Sequence, residues 1–280
     1  MPPSATRHYP QWWHGDRPNT RAWRRAGYEL DHVQVGRSVR FRRSQVVGSD
    51  AVRLQPGEAH AAGRPHGRVH TAASGPLDGL DPRTTLIVLQ CSGMKSHGGA
   101  LGQSTPVPWP DSLHHARVRL GAVPVHDRQL MPAWRRYTGS FYVAAGDAVA
   151  AAVAASAQVV ILSGGYGIVR ADEPIARYNR EFRLSDWPPG LLSNLLVEEA
   201  ARVRAKAVVA FASSTTDYAR LVRRTPWHRA GVATALLVTI ASVGGGAMVV
   251  VPRGLGHAFG AFWQRKPGAY PHNMIVESLL

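Results

Sequence analysis

Three short apolar runs, each passing straight into a polar loop, constrain this chain more than any other feature. They are TTLIVLQ before CSGMKSHGG, QVVILS at 158–163 before GGYGIVRADEP, and AVVAFA at 207–212 before SSTTDY. Such runs are too short for independent helices and do not alternate, as expected of strands covered on both faces. Helical patterns lie between and after them. Residues 143–156 are alanine-rich. Residues 190–206 put Leu192, Leu195, Leu196 and Val203 on one face, with Glu198 and Arg202 spaced as an i,i+4 pair. A helix is expected to start within 215–223. AMVVVP at 247–252 reads as a late strand that ends at Pro252. The alternation predicts an α/β fold with a mainly parallel or mixed central sheet and flanking helices, beginning near Thr84.

In sheets of this kind ligands bind beyond the carboxyl ends of the strands. The three polar loops are expected there. In Cys91-Ser92-Gly93-Met94-Lys95 the glycine permits a tight turn whose N–H groups can cradle an anion. Ser92 can donate to that anion and Lys95 supplies a point charge. Cys91 is either a nucleophile or a packed thiol. The loop is not a Walker A sequence, which needs G-x-x-x-x-G-K-S/T. Upstream of the second strand, Tyr137-Thr138-Gly139-Ser140-Phe141-Tyr142 offers hydroxyls to an anion or a base edge, or else forms a turn with two aromatics packed on the core. After that strand, Tyr166 is placed to stack on a base and Arg170 to hold phosphate, with Asp172 as orienter or base. Arg177 and Glu181 are spaced for an i,i+4 pair. Arg253, in the glycine-rich stretch after the last predicted strand, adds a further phosphate-binding candidate.

Charge points to the kind of ligand. Lys+Arg number 33 against 18 Asp+Glu, a formal net charge of +15, which favours DNA, RNA or a phosphorylated small molecule. Almost all of this is arginine, whose planar fork of donors suits phosphate. Residues 1–80 hold 12 arginines and 6 acids and read as a basic amino-terminal extension and linker, partly ordered, ahead of an α/β domain at 81–280. RSVRFRRSQVV contains a strand candidate with Val39 and Phe41 opposite Arg40 and Arg42. Trp12, Trp13 and Trp23 are candidate anchors, and 56–80 reads as the linker. The lone cysteine excludes a disulfide within one chain and a cysteine-cluster zinc site. No metal and no cofactor are expected. No apolar run reaches the roughly 20 residues of a membrane helix, and no apolar signal core follows the first basic residues, so the expected setting is cytoplasmic with no membrane partner.

The motifs also resemble a known family. ILSGGYGIVRADEPIARYNREF at 161–182, YTGSFY at 137–142, LQCSGMKS at 89–96 and AVVAFASSTTDYARLV at 207–222 are similar to segments of the peroxide stress protein YaaA (DUF328) family and its shorter DUF6884-like relatives. The resemblance covers about 84–222. It implies a compact α/β fold with a basic cleft, DNA binding and a link to limiting oxidative damage. It also places Ser163, Gly164 and Tyr178 in the binding set and the family's lysine on Lys95. Residues 1–80 and the carboxyl-terminal glycine-rich stretch have no counterpart in it. The leading expectation is therefore a nucleic-acid- or nucleotide-binding protein. Two alternatives are an enzyme cleaving or exchanging a base at a glycosidic carbon, with Asp172, Lys95 and Cys91 as its catalytic set, and a structural or partner-binding protein.

Overall fold

The computed structural model describes residues 33–35, 38–40, 75–99, 107–122, 129–241 and 246–280. The chain divides after Val69, into Met1–Val69 and His70–Leu280. In the first unit, β1 (Val33–Val35) and β2 (Ser38–Arg40) pair antiparallel, with Val33 opposite Arg40. β2 falls inside the strand expected in RSVRFRRSQVV. The tryptophans at 12, 13 and 23 lie outside the described residues.

The second unit is built on a six-stranded sheet. Its central strands are β3 (Thr85–Gln90), β5 (Val159–Ser163), β8 (Ala207–Phe211) and β9 (Thr234–Ile240), all parallel. β6 (Gly167–Arg170) and β10 (Met274–Ser278) close the two edges antiparallel, giving the order β10-β9-β8-β3-β5-β6. A two-residue β4 (Met131–Pro132) pairs with β7 (Pro174–Ile175) outside this sheet. The fold is thus α/β with a mixed central sheet, as the alternation of runs predicts.

Period-two alternation sends successive side chains to opposite faces, and both faces are covered. Ile87, Leu89, Val209 and Phe211 share one apolar layer with α3 (Ser140–Ala145), α4 (Ala148–Ala154) and α7 (Ala247–Trp263). Leu86, Val88, Val208 and Ala210 share the other with α1 (Asp111–Leu120), α5 (Leu191–Arg202) and α6 (Asp217–Arg224). A short α2 (Ala133–Arg136) follows β4 directly. Leu77, within the stretch read as linker, is buried in the first layer.

Several local expectations are corrected. The run at 247–252 is no strand but the start of α7, with Pro252 inside the helix. An apolar run cannot by itself distinguish strand from buried helix. The deciding pattern lies further on, where Val251, Leu255, Ala258, Phe259 and Phe262 are buried at helical spacing. The glycine-rich stretch after it is helix for the same reason, and Gly256 lets α7 seat against α3. A Cβ there would stand 2.3 Å from the Phe141 carbonyl oxygen. The alanine-rich helix at 143–156 is two helices, parted at Gly146–Asp147. Arg202 pairs with Glu199 rather than Glu198, because Glu199 lies on the buried side of α5 and also receives Arg170. Glu181 pairs with Arg183 instead of Arg177, since 176–183 is not helical and the i,i+4 spacing has no helix to act on. β9, β10 and α1 were not anticipated.

Candidate functional site

The chain leaves β3 toward β5 and returns on the other side of β3 as β8. Connections therefore diverge beyond the carboxyl ends of β3 and β8, the position where open α/β sheets form a ligand crevice. Gln90 ends β3 and is 5% exposed; its side-chain oxygen accepts the Ser213 backbone N–H at 3.1 Å, joining the two loops. Cys91 Sγ lies 3.0 Å from the Tyr218 hydroxyl, which comes from the first turn of α6. Burial, with the Cys91 sulfur alongside, pushes the Tyr218 hydroxyl well above the ordinary phenol range.

Lys95 is held in this crevice by backbone pairing with Tyr137, through Thr138 N–H to Met94 O at 3.1 Å and Ser96 N–H to Arg136 O at 2.8 Å. Its side chain is 8% exposed. The ammonium donates to the Ser92 carbonyl at 2.9 Å and lies 4.1 Å from the centroid of the Tyr178 ring. No carboxylate pairs with it among the described residues. Burial lowers its pKa, and exposed Arg177 lowers it further, against an opposing influence from Cys91.

Beneath Lys95 the hydroxyls of Tyr137, Ser163 and Tyr178 form a closed triangle with sides of 2.9–3.1 Å. Three hydroxyls can satisfy such a ring with one proton each, so it needs no further partner. Ser163 Oγ also accepts the Tyr166 N–H. Tyr142 stacks on Tyr137 and donates to the Gln90 carbonyl at 3.0 Å. Burial raises the pKa of Tyr137, Tyr142 and Tyr178 well above that of a free phenol, which keeps all three neutral.

One support is absent from the sequence reading. Arg136 is fully buried and donates to the carbonyls of Ser96, Gly98, Gln129 and Ile175, tying the Lys95 loop to β7. Nothing in the sequence separates it from its exposed neighbour Arg135. Gln90 did carry a signal, as the one amide closing an apolar strand.

Other expected site residues are placed differently. Ser92 lines the loop, but its Oγ accepts the Met94 N–H and packs on Gly139 beside Thr138. Gly164 and Gly165 do not open a ligand loop. They belong to the tight turn between β5 and β6, and Cβ atoms there would meet the Arg180 carbonyl at 2.2 Å and the Tyr178 ring at 2.7 Å. The chain's own segment 178–181 fills the space the glycines leave. The Tyr166 hydroxyl accepts the Ala176 N–H and its ring abuts Tyr178, so it is not open for stacking on a base.

The hairpin also carries Arg170 back down the sheet, opposite Val160. With about 3.3 Å per residue, that is roughly 10 Å below the Ser163 end. There Arg170 is committed to Glu199 by two bonds of 2.7 Å and lies over the Trp109 ring. Asp172 lines a cavity of about 250 Å³ at the same end, with Gln158, Arg170, Glu199 and Arg202. Lys95 and Cys91 are thus brought together with the tyrosines, whereas Asp172 and Arg170 are not. Arg253 is on the exposed side of α7 and makes no ion pair among the described residues. Among the described residues no three His, Cys, Asp or Glu side chains are grouped to hold a metal, and no helix is long and apolar enough to cross a membrane.

A family model described as a domain of unknown function (DUF7662) matches residues 1–45. No curated protein and no solved structure matches the chain. The matched family is not the peroxide stress (YaaA, DUF328) family or its DUF6884-like relatives, and the match lies outside 84–222, so that assignment is corrected. The main motif behind it, SGGYG, has a packing role in this fold, with its glycines seating residues 178–181.

Proposed function

We infer that this chain binds a phosphate-bearing partner, a nucleic acid or a nucleotide, in the crevice beyond β3 and β8. The observation that carries the reading is Lys95. A buried ammonium whose contacts are carbonyl oxygens and tyrosine faces, with no carboxylate, is a charge that an incoming anion would neutralise. The exposed Arg177 guanidinium is close enough to act on the Lys95 ammonium and adds positive charge there. The overall charge of +15 favours a polyanion over a neutral metabolite. The glycosidic-bond reading has less support, because its carboxylate, Asp172, stands at the other end of β5.

Lys95→Met tests the reading in the full chain, with exposed Lys206→Met as a control of equal charge change. Labelled single-stranded and duplex oligonucleotides are followed by anisotropy, with nucleoside monophosphates as competitors. Loss of one charge-assisted contact, about 1.5–3 kcal/mol, predicts affinity roughly tenfold to a hundredfold weaker for Lys95→Met alone. Log affinity should fall linearly with log salt. An ammonium binds anions while protonated, so binding is retained at low pH and lost as pH rises through the lowered Lys95 pKa, earlier than for an exposed lysine. Equal affinity for the two variants refutes the reading.

A further inference from the structure

The two edges of the six-stranded sheet are finished differently. In β6 the Ala171 N–H just past the strand bonds back to the Val159 carbonyl, so by alternation Ile168 and Arg170 turn their backbone groups away from β5. Side chains occupy that edge. The Arg117 guanidinium donates to the carbonyls of Tyr166 and Ile168 at 2.9 and 2.6 Å, and the Glu173 carboxylate accepts the Arg170 N–H at 3.2 Å. An ion pair of 3.0 Å joins the two caps.

β10 has no such cover among the described residues. The Leu279 N–H bonds to the Ala235 carbonyl and the Ala241 N–H to the Asn273 carbonyl, each at 2.9 Å. The odd-numbered residues of the strand therefore turn their backbone groups to β9, and Met274, Val276 and Ser278 turn theirs outward. The Met274 N–H is taken by the Pro271 carbonyl at 3.0 Å. The N–H groups of Val276 and Ser278 have no acceptor among the described residues, and the carbonyls of Met274 and Val276 no donor. Open edges are usually blunted by lysine, proline or a bulge. Met274–Ser278 contains neither residue, its register against β9 is unbroken, and Ile275 is 51% exposed.

A second copy of the same strand, paired antiparallel about a two-fold axis, satisfies this edge. Three registers compete. An axis at Glu277 sets two carboxylates directly opposite, which is unfavourable. An axis at Ile275 calls on the Met274 N–H, already committed, and leaves only the Val276 N–H to the Met274 carbonyl, once from each copy. An axis at Val276 gives four bonds: Val276 N–H to Val276 carbonyl and Ser278 N–H to Met274 carbonyl, each in both directions. It also lays Ile275 on the stem of Glu277 of the second copy. Charge at this seam balances. Each Glu277 carries its own Arg223 at 2.9 Å, so two carboxylates meet two guanidinium groups, on a chain whose total is +15.

We propose that β10 is a homodimer interface, in which two copies join edge to edge, antiparallel about Val276, into one continuous twelve-stranded sheet. The axis stands normal to the sheet and reverses the strand direction. The two Lys95 crevices then open at opposite ends of the merged sheet, as two separate sites. The dimer does not depend on the ligand reading of that crevice.

Sedimentation velocity of the full chain, from micromolar to about hundreds of micromolar, tests this. The wild type should show a reversible dimer. Ser278→Pro, at an exposed position whose N–H serves only the seam, removes two of the four bonds and should weaken the dimer about tenfold or more. Ile275→Glu sets a carboxylate opposite Glu277 of the second copy and should weaken it several-fold, whereas Ile275→Lys sets an ammonium there and should hold or tighten it. Position 275 is exposed, so both variants should fold, which near-UV circular dichroism checks. Should Ser278→Pro fail to fold, the Ile275 pair decides alone. Three outcomes overturn the proposal: a wild type that stays monomeric throughout, a dimer unchanged by Ser278→Pro, or lysine at 275 weakening it as much as glutamate. The last would mark an apolar contact of no fixed register.

Discussion

Glu199→Gln is a demanding test of how the lower end of the sheet is held. The Glu199 carboxylate is 3% exposed and takes four guanidinium bonds, two of 2.7 Å from Arg170 and two of 2.8 Å from Arg202. The Arg170 fork is buried as well, with its side chain 11% exposed, whereas that of Arg202 is 41% exposed. Removing one partner of a buried pair costs about 3–5 kcal/mol, and an exposed pair contributes about 1 kcal/mol or less. Glutamine keeps one acceptor but turns an NH₂ group toward donors, so the expected loss is about 3 kcal/mol. For a unit the size of His70–Leu280 this lowers Tm by roughly 6–12 °C. The pH dependence follows from the same contacts. Burial alone would raise the Glu199 pKa, but the bonds and charges of Arg202 and Arg170 together outweigh it and hold the carboxyl below its usual value. A depressed carboxylate contributes stability that is present above its unfolded pKa and is lost as pH falls through its folded one. The gap between wild type and variant in urea unfolding should therefore be full at neutral pH and close below about pH 4. A gap under about 1 kcal/mol at neutral pH, or one that persists undiminished in acid, refutes this account of Glu199.

Two further substitutions probe the packing that shapes the site. Gly256→Val should lower stability by about 3 kcal/mol in thermal unfolding, because its Cβ would meet the Phe141 carbonyl and the Ala145 nitrogen at 2.3 and 2.9 Å, while Gly268→Ala, with open space around it, should be neutral. Tyr178→Phe removes two sides of the hydroxyl triangle but keeps the ring under Lys95, so urea unfolding should show a loss of about 1–3 kcal/mol while oligonucleotide affinity changes less than it does in Lys95→Met.

The parallel core was legible because burial on both faces leaves a mark that polar or exposed strands do not. TTLIVLQ, QVVILS and AVVAFA contain no internal charge, and they became β3, β5 and β8 within a residue or so at each end. Edge strands lack that mark. β10 carries the exposed Ile275 and the ion-paired Glu277, since one of its faces is partly open to water. β6 holds three buried residues and Arg170, but its glycine-rich start reads as a loop. Helix α7 reads as a strand in the sequence because its first turn is an apolar run, although Met248, Val249 and Val250 are exposed and take no part in the core. The periodicity that identifies it begins only at Val251.

The candidate site was legible in kind but not in grouping, and the hairpin at Ser163–Gly167 explains why. In a parallel β-loop-α unit, residues after a strand stay at its carboxyl end, so Tyr166, Arg170 and Asp172 would all share the Lys95 crevice. Here the chain reverses as β6, and each residue past Gly167 moves about 3.3 Å back toward the amino end. Ser163 and Tyr166 remain near the crevice, while Arg170 and Asp172 reach Glu199 and Arg202 at the opposite end. The chain then climbs again through β7, and the return brings Tyr178 to Ser163. Residues fifteen apart thereby meet, while residues seven apart do not. Spacing along the chain could not show this, because the same glycines that permit a ligand-facing loop also permit a tight reversal. What separates the two is the occupant of the space above Gly164 and Gly165, and in this fold it is the chain's own Tyr178–Glu181 segment.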